Sequence, residues 1–308
     1  MARSERFAAW KAGGKTLRYR GHAIFYRADG DADRPPLLVI HGFPSASYDW
    51  EPIWNELVSR FRVVACDMIG FGWSAKPKRY AYSIFDQADL HEALAREVGI
   101  SEAHVLAHDY GDTVAQELLA RHEELANRRA TTAGGPGGIR LRSVCFLNGG
   151  LFPETHRPRF VQKLLAGPAG ALVGRLSTKR AFSSGMTAIF GPKTPPSRQV
   201  LDELWELLEH DDGRRVLHLL IGYMAERRAH RQRWVGALVK TKVPLRVVDG
   251  VVDPVSGAHM VARYRELVPA PDTVELPGIG HYPQLEDPDG VLRAFLQFHD
   301  RLGETPLR

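Results

Sequence analysis

Short apolar runs rich in β-branched and aromatic residues alternate with helix-length amphipathic stretches through the first half of the chain. Parallel strands need crossover connections, usually helices, so this alternation points to an α/β fold with a mostly parallel sheet covered on both faces. The strand candidates are TLRYR (16–20), AIFYR (23–27), PLLVIH (36–41), RVVACD (62–67), AHVLAH (103–108), SVCFLN (143–148), PLRVVDG (244–250) and TVELPG (273–278). Helical periodicity falls at 83–98, 112–126, 257–268 and 288–302, the last with Pro288 near its start. From 151 to 240 the β runs stop, and VLDELWELLEHDD and RRVLHLLIGYMAERR carry apolar residues at three- and four-residue spacing. GPAGA (167–171) and FGPKTPP (190–196) divide that stretch into several helices. The Gly-rich ATTAGGPGGI (130–139) reads as a surface loop without the strand-then-helix context of a phosphate loop.

A length of 308 residues allows two domains or one large domain with an insertion. Hydrophobic residues at 44% and charged residues at 25% sit at the globular average, which excludes disordered, collagen-like and coiled-coil readings. The two cysteines, Cys66 and Cys145, lie inside apolar runs and read as core residues of a reducing compartment. The net charge of +5 is carried by dispersed groups (Lys76/Lys78/Arg79, Arg128/Arg129, Arg227/Arg228, Arg231/Arg233) with no interleaved aromatics, the pattern of solvated faces rather than a nucleic-acid surface. The start, MARSERFAAWKAGGK, has no apolar core of a signal peptide, and no run approaches the ~20 apolar residues of a membrane span, so a cytoplasmic location is expected.

The chemistry is concentrated at residues 107–111, Ala-His-Asp-Tyr-Gly, between an apolar strand and the helix TVAQELLA. Strand, sharp turn and helix with small residues two before and two after Asp109 are what a nucleophile elbow requires, here with Asp in place of Ser. An Asp at a helix N-cap would look the same in isolation. Three further features select the elbow. His41-Gly42-Phe43-Pro44 follows the strand PLLVI, so the Phe43 N–H, with that of Tyr110, can form an oxyanion hole. Asp253 follows one late strand and His281, in Gly-Ile-Gly-His-Tyr-Pro, follows the next. All sit at the carboxyl edge, where open α/β sheets bind ligands.

These residues resemble those of the α/β-hydrolase family, in the subgroup with an aspartate nucleophile that contains epoxide hydrolases and haloalkane dehalogenases. Asp67-Met-Ile-Gly-Phe-Gly-Trp-Ser matches the family's D-x-x-G-x-G-x-S turn. HDYGDTVAQELL (108–119), NGGLFPETHRP (148–158), RWVGAL (233–238) and HYPQLEDP (281–288) extend the resemblance to the group of the mesoderm-specific transcript protein and its bacterial relatives. The resemblance implies an α/β-hydrolase core at 1–150 and 241–308 with a helical cap at 151–240. His41 and Asp67 are expected to hold loop geometry only.

An aspartate nucleophile narrows the reaction. Attack on an ester carbonyl would give a mixed anhydride, whereas attack on a saturated electrophilic carbon leaves an ordinary alkyl ester on Asp109. Water activated by His281, oriented by Asp253, would then hydrolyse that ester while Phe43 and Tyr110 N–H groups stabilise the oxyanion. Related dehalogenases resemble one another in a Trp after the nucleophile and an Asn or cap Trp opposite; here Tyr110 and Phe43 stand at the two core positions, leaving Trp205 or Trp234 as sources of a halide donor. Related epoxide hydrolases place tyrosines in the cap, and Tyr223 is the one tyrosine of 151–240, with His156 as a second donor to consider. Asn148 occupies the position where some dehalogenases keep their acid, so Asp253 must supply that charge. The expectation is an epoxide hydrolase acting on a small apolar electrophile and water, without cofactor or metal. The alternatives are a haloalkane dehalogenase and a non-catalytic module that holds a small ligand. A homo-oligomer is left open.

Overall fold

The computed structural model describes residues 4–129 and 138–303. Eight strands form one sheet: β1 (Lys15–Tyr19), β2 (His22–Asp29), β3 (Pro36–Ile40), β4 (Arg62–Cys66), β5 (Glu102–His108), β6 (Arg140–Leu147), β7 (Leu245–Gly250) and β8 (Thr273–Leu276). They lie in the order β1-β2-β4-β3-β5-β6-β7-β8. β1 and β2 run antiparallel at one edge, and every pairing from β4 to β8 is parallel. The eight sequence runs thus correspond to eight strands. The central ones are buried along almost their whole length, as a sheet covered on both faces demands.

Register brings the carboxyl ends together. Ile40 pairs with Ala107, Ala107 with Phe146, Leu147 with Val248, and Gly250 with Leu276. The loops after β3, β5, β6, β7 and β8 therefore open on one edge of the sheet. Two apolar clusters cover its faces. One contains Leu37, Val39, Leu106, Leu147, Val248 and Phe295. The other contains Leu38, Val105 and Phe146 and continues into Leu217, Leu220, Trp234 and Leu238.

The helices are α1 (Glu5–Ala12), α2 (Glu51–Arg60), α3 (Ile84–Glu97), α4 (Tyr110–Arg129), α5 (Phe160–Leu165), α6 (Gly170–Leu176), α7 (Lys179–Thr187), α8 (Arg198–Glu209), α9 (Leu217–Leu220), α10 (Tyr223–Ala229), α11 (Arg231–Lys240), α12 (Ala258–Leu267), α13 (Pro283–Glu286) and α14 (Pro288–Arg301). Seven of them, α5 to α11, lie between β6 and β7, where the sequence pattern turns helical. α1 and α2 are not anticipated by the periodicity. α1 is capped by Ser4, whose Oγ accepts from the Phe7 N–H at 3.1 Å, and it buries Phe7 and Trp10. α2 buries only Ile53, Trp54 and Leu57 among polar neighbours, too few apolar positions to stand out in a sequence.

Two of the contacts that fasten the α5–α11 segment lie at RWVGAL and HYPQLEDP. On α4, the buried Glu117 carboxylate accepts from Arg121 Nε at 2.8 Å, Arg233 Nε at 2.6 Å and Trp234 Nε1 at 2.8 Å. At the other side, Glu286 accepts from the N–H groups of Gly280 (2.9 Å), Tyr282 (3.0 Å) and Gly191 (2.7 Å), tying the loop after β8 to the residue after Phe190. Phe190 stacks on Tyr282 with ring centroids 5.3 Å apart. RWVGAL and HYPQLEDP are therefore docking segments.

Two of the basic groups depart from the solvated reading. Lys76 is buried and its Nζ donates to the Gly72 carbonyl, while Arg227 is 2% exposed next to an exposed Arg228. The Gly-rich segment lies outside the described residues except for Gly138 and Ile139. Cys66 and Cys145 are buried and free. Among the described residues, no helix is long and apolar enough to cross a membrane.

Candidate active site

β5 ends at His108 and α4 begins at Tyr110, so Asp109 alone makes the turn, with φ of 48°. This left-handed conformation is costly for a non-Gly residue and persists only where its surroundings enforce it. They do so by contact. A Cβ on Gly111 would stand 2.5 Å from the Ile40 carbonyl oxygen, and one on Gly42 would stand 3.0 Å from the Asp109 Cβ. The small residues around Asp109 are thus required by the approach of the loop after β3.

That approach places the Phe43 N–H on Asp109 Oδ2 at 3.0 Å. Tyr110 is the first residue of α4, and first-turn N–H groups lack intrahelical partners. His41 accepts the Met68 N–H on Nε2 at 3.0 Å and faces the Gly42 carbonyl with Nδ1 at 2.8 Å. Burial lowers its pKa to about 3, so the ring is a neutral brace. Asp67 accepts from Ser47 N at 2.8 Å and from Trp73 N at 2.7 Å, bracing the neighbouring turn. Neither side chain is directed at Asp109.

Asp253 and His281 come from the loops after β7 and β8 and meet. His281 Nδ1 lies 2.8 Å from Asp253 Oδ2, and Nε2 lies 4.0 Å from Asp109 Oδ2. The second distance is too long for a hydrogen bond, so Nε2 is not committed to the carboxylate. Asp253 Oδ1 accepts from the Val255 N–H at 2.7 Å, and Oδ2 also receives the Ser256 N–H and Asn148 Nδ2, each at 3.1 Å. Asn148, at the end of β6, further accepts the Gly250 N–H at 2.8 Å. Its amide therefore supports the acid that stands one strand further on.

Electrostatics follow from burial and partners. Burial opposes a charged His281, but the charge and hydrogen bond of Asp253, with a contribution from Asp109, outweigh it and hold the pKa at about 9. Burial also raises the Asp253 carboxyl, and the His281 charge and hydrogen bond reverse this into a net lowering. His108 bonds the His281 carbonyl through Nε2 at 2.7 Å, with its own pKa lowered to about 4, first by burial and then by His281. It holds the His281 backbone as a neutral ring.

The opposite wall comes from α10 and the loop after β6. Tyr223 is fully buried, its ring 4.9 Å from Tyr110 and 6.1 Å from Phe43, centroid to centroid. Its hydroxyl has no hydrogen-bond partner among the described residues. Arg227, one helical turn on, stacks over the Tyr223 ring at 4.5 Å. Its Nε donates to Thr113 Oγ1 at 2.6 Å and its Nη2 to the Asp109 carbonyl at 3.0 Å, with Nη2 3.8 Å from Asp109 Oδ1. The remaining Nη1 and both ring nitrogens of His156 are buried without partners among the described residues. Burial, then the Arg227 charge, lowers the His156 pKa to about 3.

The indoles considered as halide donors are engaged elsewhere. Trp234 Nε1 is bonded to Glu117, and Trp205 packs on Phe182 with Arg214 over its ring. Sequence reasoning missed Arg227 by reading Arg227/Arg228 as one solvated pair. The available signal was its spacing of four from Tyr223, which puts both on one helix face.

A protein-family model described as alpha/beta hydrolase fold matches residues 35–183. The mesoderm-specific transcript homolog protein of Homo sapiens is 43% identical over 300 residues, covering 94% of this chain and 87% of that protein. Among solved structures, the haloalkane dehalogenase DatA from Agrobacterium tumefaciens C58 superposes with a TM-score of 0.77 at 19% identity, over 94% of this chain and 96% of that one. The epoxide hydrolase CorEH gives 0.75 at 17% identity, over 94% and 99%. These two likenesses concern the fold.

Proposed function

The chain belongs to the alpha/beta hydrolase family, and from that premise we propose that it hydrolyses epoxides to vicinal diols through an ester on Asp109. Residues 1–150 and 241–308 serve as the hydrolase core and 151–240 as a cap. The observation that carries the reading is the Tyr223 hydroxyl, buried beside the elbow with no partner among the described residues. Leaving a buried hydroxyl unsatisfied costs about 1–3 kcal/mol, so its retention fits a donor waiting for an acceptor that the substrate brings.

Asp109 Oδ2 is held by the Phe43 N–H, which leaves Oδ1 as the attacking atom. Oδ1 forms a bond to the epoxide carbon, and the C–O bond of the ring breaks with its electron pair on the departing oxygen. That oxygen takes a proton from Tyr223, restored through solvent. Once esterified, Asp109 no longer carries the charge that helps hold His281 protonated, so the His281 pKa falls and the imidazole gives up its proton more readily. Neutral His281, oriented by Asp253, then takes a proton from water as that water attacks the Asp109 carboxyl carbon. The oxyanion forms at Oδ2, already facing the Phe43 N–H and close to the start of α4. Collapse of that oxyanion breaks the bond between the carboxyl carbon and Oδ1, and the diol leaves with Oδ1. It takes the remaining proton of the attacking water, whose oxygen stays in the Asp109 carboxylate. With one proton lost by His281 in the first stage and regained in the second, epoxide plus water gives diol.

Halide departure lacks this support: Trp234 spends its indole N–H on Glu117, and Trp205 packs on Phe182 and under Arg214. A parallel panel of epoxides and haloalkanes is the test. Diol formation well above halide release is expected; halide release without diol formation would replace the reading with dehalogenation.

A further inference from the structure

The geometry points to Arg227 as the second stabiliser of the departing oxygen, a catalytic residue presented by α10 beside Tyr223. The assignment rests on the reading of Asp109 as a nucleophile that expels an alkoxide. Residues 151–240 contain a single tyrosine, so a second donor to that oxygen must be a residue of another type.

Arg227 is built into the site rather than packed beneath it. Two of its nitrogens are committed, Nε to Thr113 and Nη2 to the Asp109 carbonyl, which fixes the plane of the guanidinium. Nη1 is left over, buried and without a partner among the described residues. The point where a Cβ on Gly150 would stand is 2.3 Å from Arg227 Nη1 and 3.1 Å from His156 Nδ1, so only the missing side chain of Gly150 leaves room for both groups. A buried guanidinium also needs a counter-charge. In the resting site Asp109 supplies it, with Oδ1 3.8 Å from Nη2. Asp112, another carboxyl facing Arg227, is pushed well above the usual carboxylate range, chiefly by burial and then by Asp109, and does not serve.

Alkylation removes the charge of Asp109 and creates one on the departing oxygen. Until Tyr223 protonates that oxygen, the positive charge of Arg227 stays compensated only if the oxygen forms within its reach. The anion is thereby handed from one side of Arg227 to the other as the C–O bond breaks, with no rearrangement of the protein. The His156 ring, kept neutral by burial and then by the Arg227 charge, does not compete for the anion. The site is therefore matched to an uncharged electrophile that becomes anionic only as it opens.

Leaving-group dependence separates this role from a structural one. Single-turnover ester formation is measured in a His281→Gln background with 1,2-epoxypropane and with 3,3,3-trifluoro-1,2-epoxypropane, whose alkoxide is intrinsically more stable. Arg227→Gln is expected to slow ester formation from 1,2-epoxypropane by about 10²–10³-fold, the usual effect of losing one preorganised donor. The trifluoro substrate is expected to suffer at least about tenfold less, and Arg227→Lys to fall between wild type and Arg227→Gln with both. Thr113→Val, which loosens the positioning contact but keeps Nη1, is expected to slow both substrates equally. If Arg227→Gln does not fold, the Arg227→Lys and Thr113→Val comparison carries the test. An equal loss with both epoxides in every Arg227 variant overturns the catalytic assignment and leaves the proposed function standing. Absence of any ester in the His281→Gln protein, with no turnover of epoxides by wild type, overturns both.

Discussion

On the sheet side of the site, Asp253 accepts hydrogen bonds from Val255, Ser256 and Asn148 and pairs with His281, whose carbonyl is held by His108. On the helical side, Tyr223 Oη, Arg227 Nη1 and both nitrogens of His156 are buried with no partner among the described residues. In the first wall the acid and its contact to the base are complete without a substrate, while His108 keeps one ring nitrogen without a partner among the described residues. The second has donors in surplus, and buried donors in surplus are costly unless something regularly satisfies them. Under the proposed mechanism the difference is a division of labour, in which the sheet edge would hydrolyse the ester and the helical segment would receive the departing group.

Breaking the first wall should give the larger effects, confined to the second stage. Asp253→Asn is expected to slow ester hydrolysis by about 10⁴-fold while ester formation continues, because the amide cannot stabilise the imidazolium. Rapid-quench measurement of the two stages checks this. On the other wall, Tyr223→Phe is expected to slow ring opening by about 10²–10³-fold and to leave hydrolysis of the ester nearly untouched. A near-normal opening rate removes Tyr223 from the reaction. Asn148→Ala takes one donor from Asp253 and two contacts from Gly250, and about tenfold slower ester hydrolysis is expected, the size of one lost hydrogen bond.

The pH dependence sharpens the same contrast. His281 sits at about 9 while Asp109 is charged, and loses that contribution when Asp109 is esterified. The base must be neutral, so ester hydrolysis should rise with pH through a value below about 9 and level off above it. Ring opening needs no neutral imidazole and draws its proton from a Tyr223 hydroxyl that burial keeps protonated, so it should stay flat across that interval. The smallest effect is expected for Arg228→Ala. Its exposed neighbouring position should leave stability within about 0.5 kcal/mol and both stages unchanged, in contrast to Arg227.

The two walls also differ in how much of them a sequence reveals. Asp109, Asp253 and His281 each follow a strand, and parallel register forces strand ends to one edge, so local pattern translates directly into proximity. Phe43 follows by the same logic. The helical wall has no such rule. α10 is seven residues long, and its direction is set by contacts distant in sequence, including Arg227 to Thr113 and Trp234 to Glu117. Tyr223 was reachable because it is the one tyrosine of its segment, whereas Arg227 had the composition of an ordinary basic pair. Trp234 shows the reverse failure. Its N–H looked available in sequence and is spent on a buried carboxylate that only the tertiary structure brings near.

The covalent ester on Asp109 is the claim from which the rest descends. It is tested most directly by incubating a His281→Gln variant with 1,2-epoxypropane and measuring the mass of the peptide that contains Asp109. A stable adduct of the epoxide's full mass is expected on that peptide, absent from an Asp109→Asn control. An unmodified peptide, from a protein whose wild-type form converts the same epoxide to diol, would contradict it.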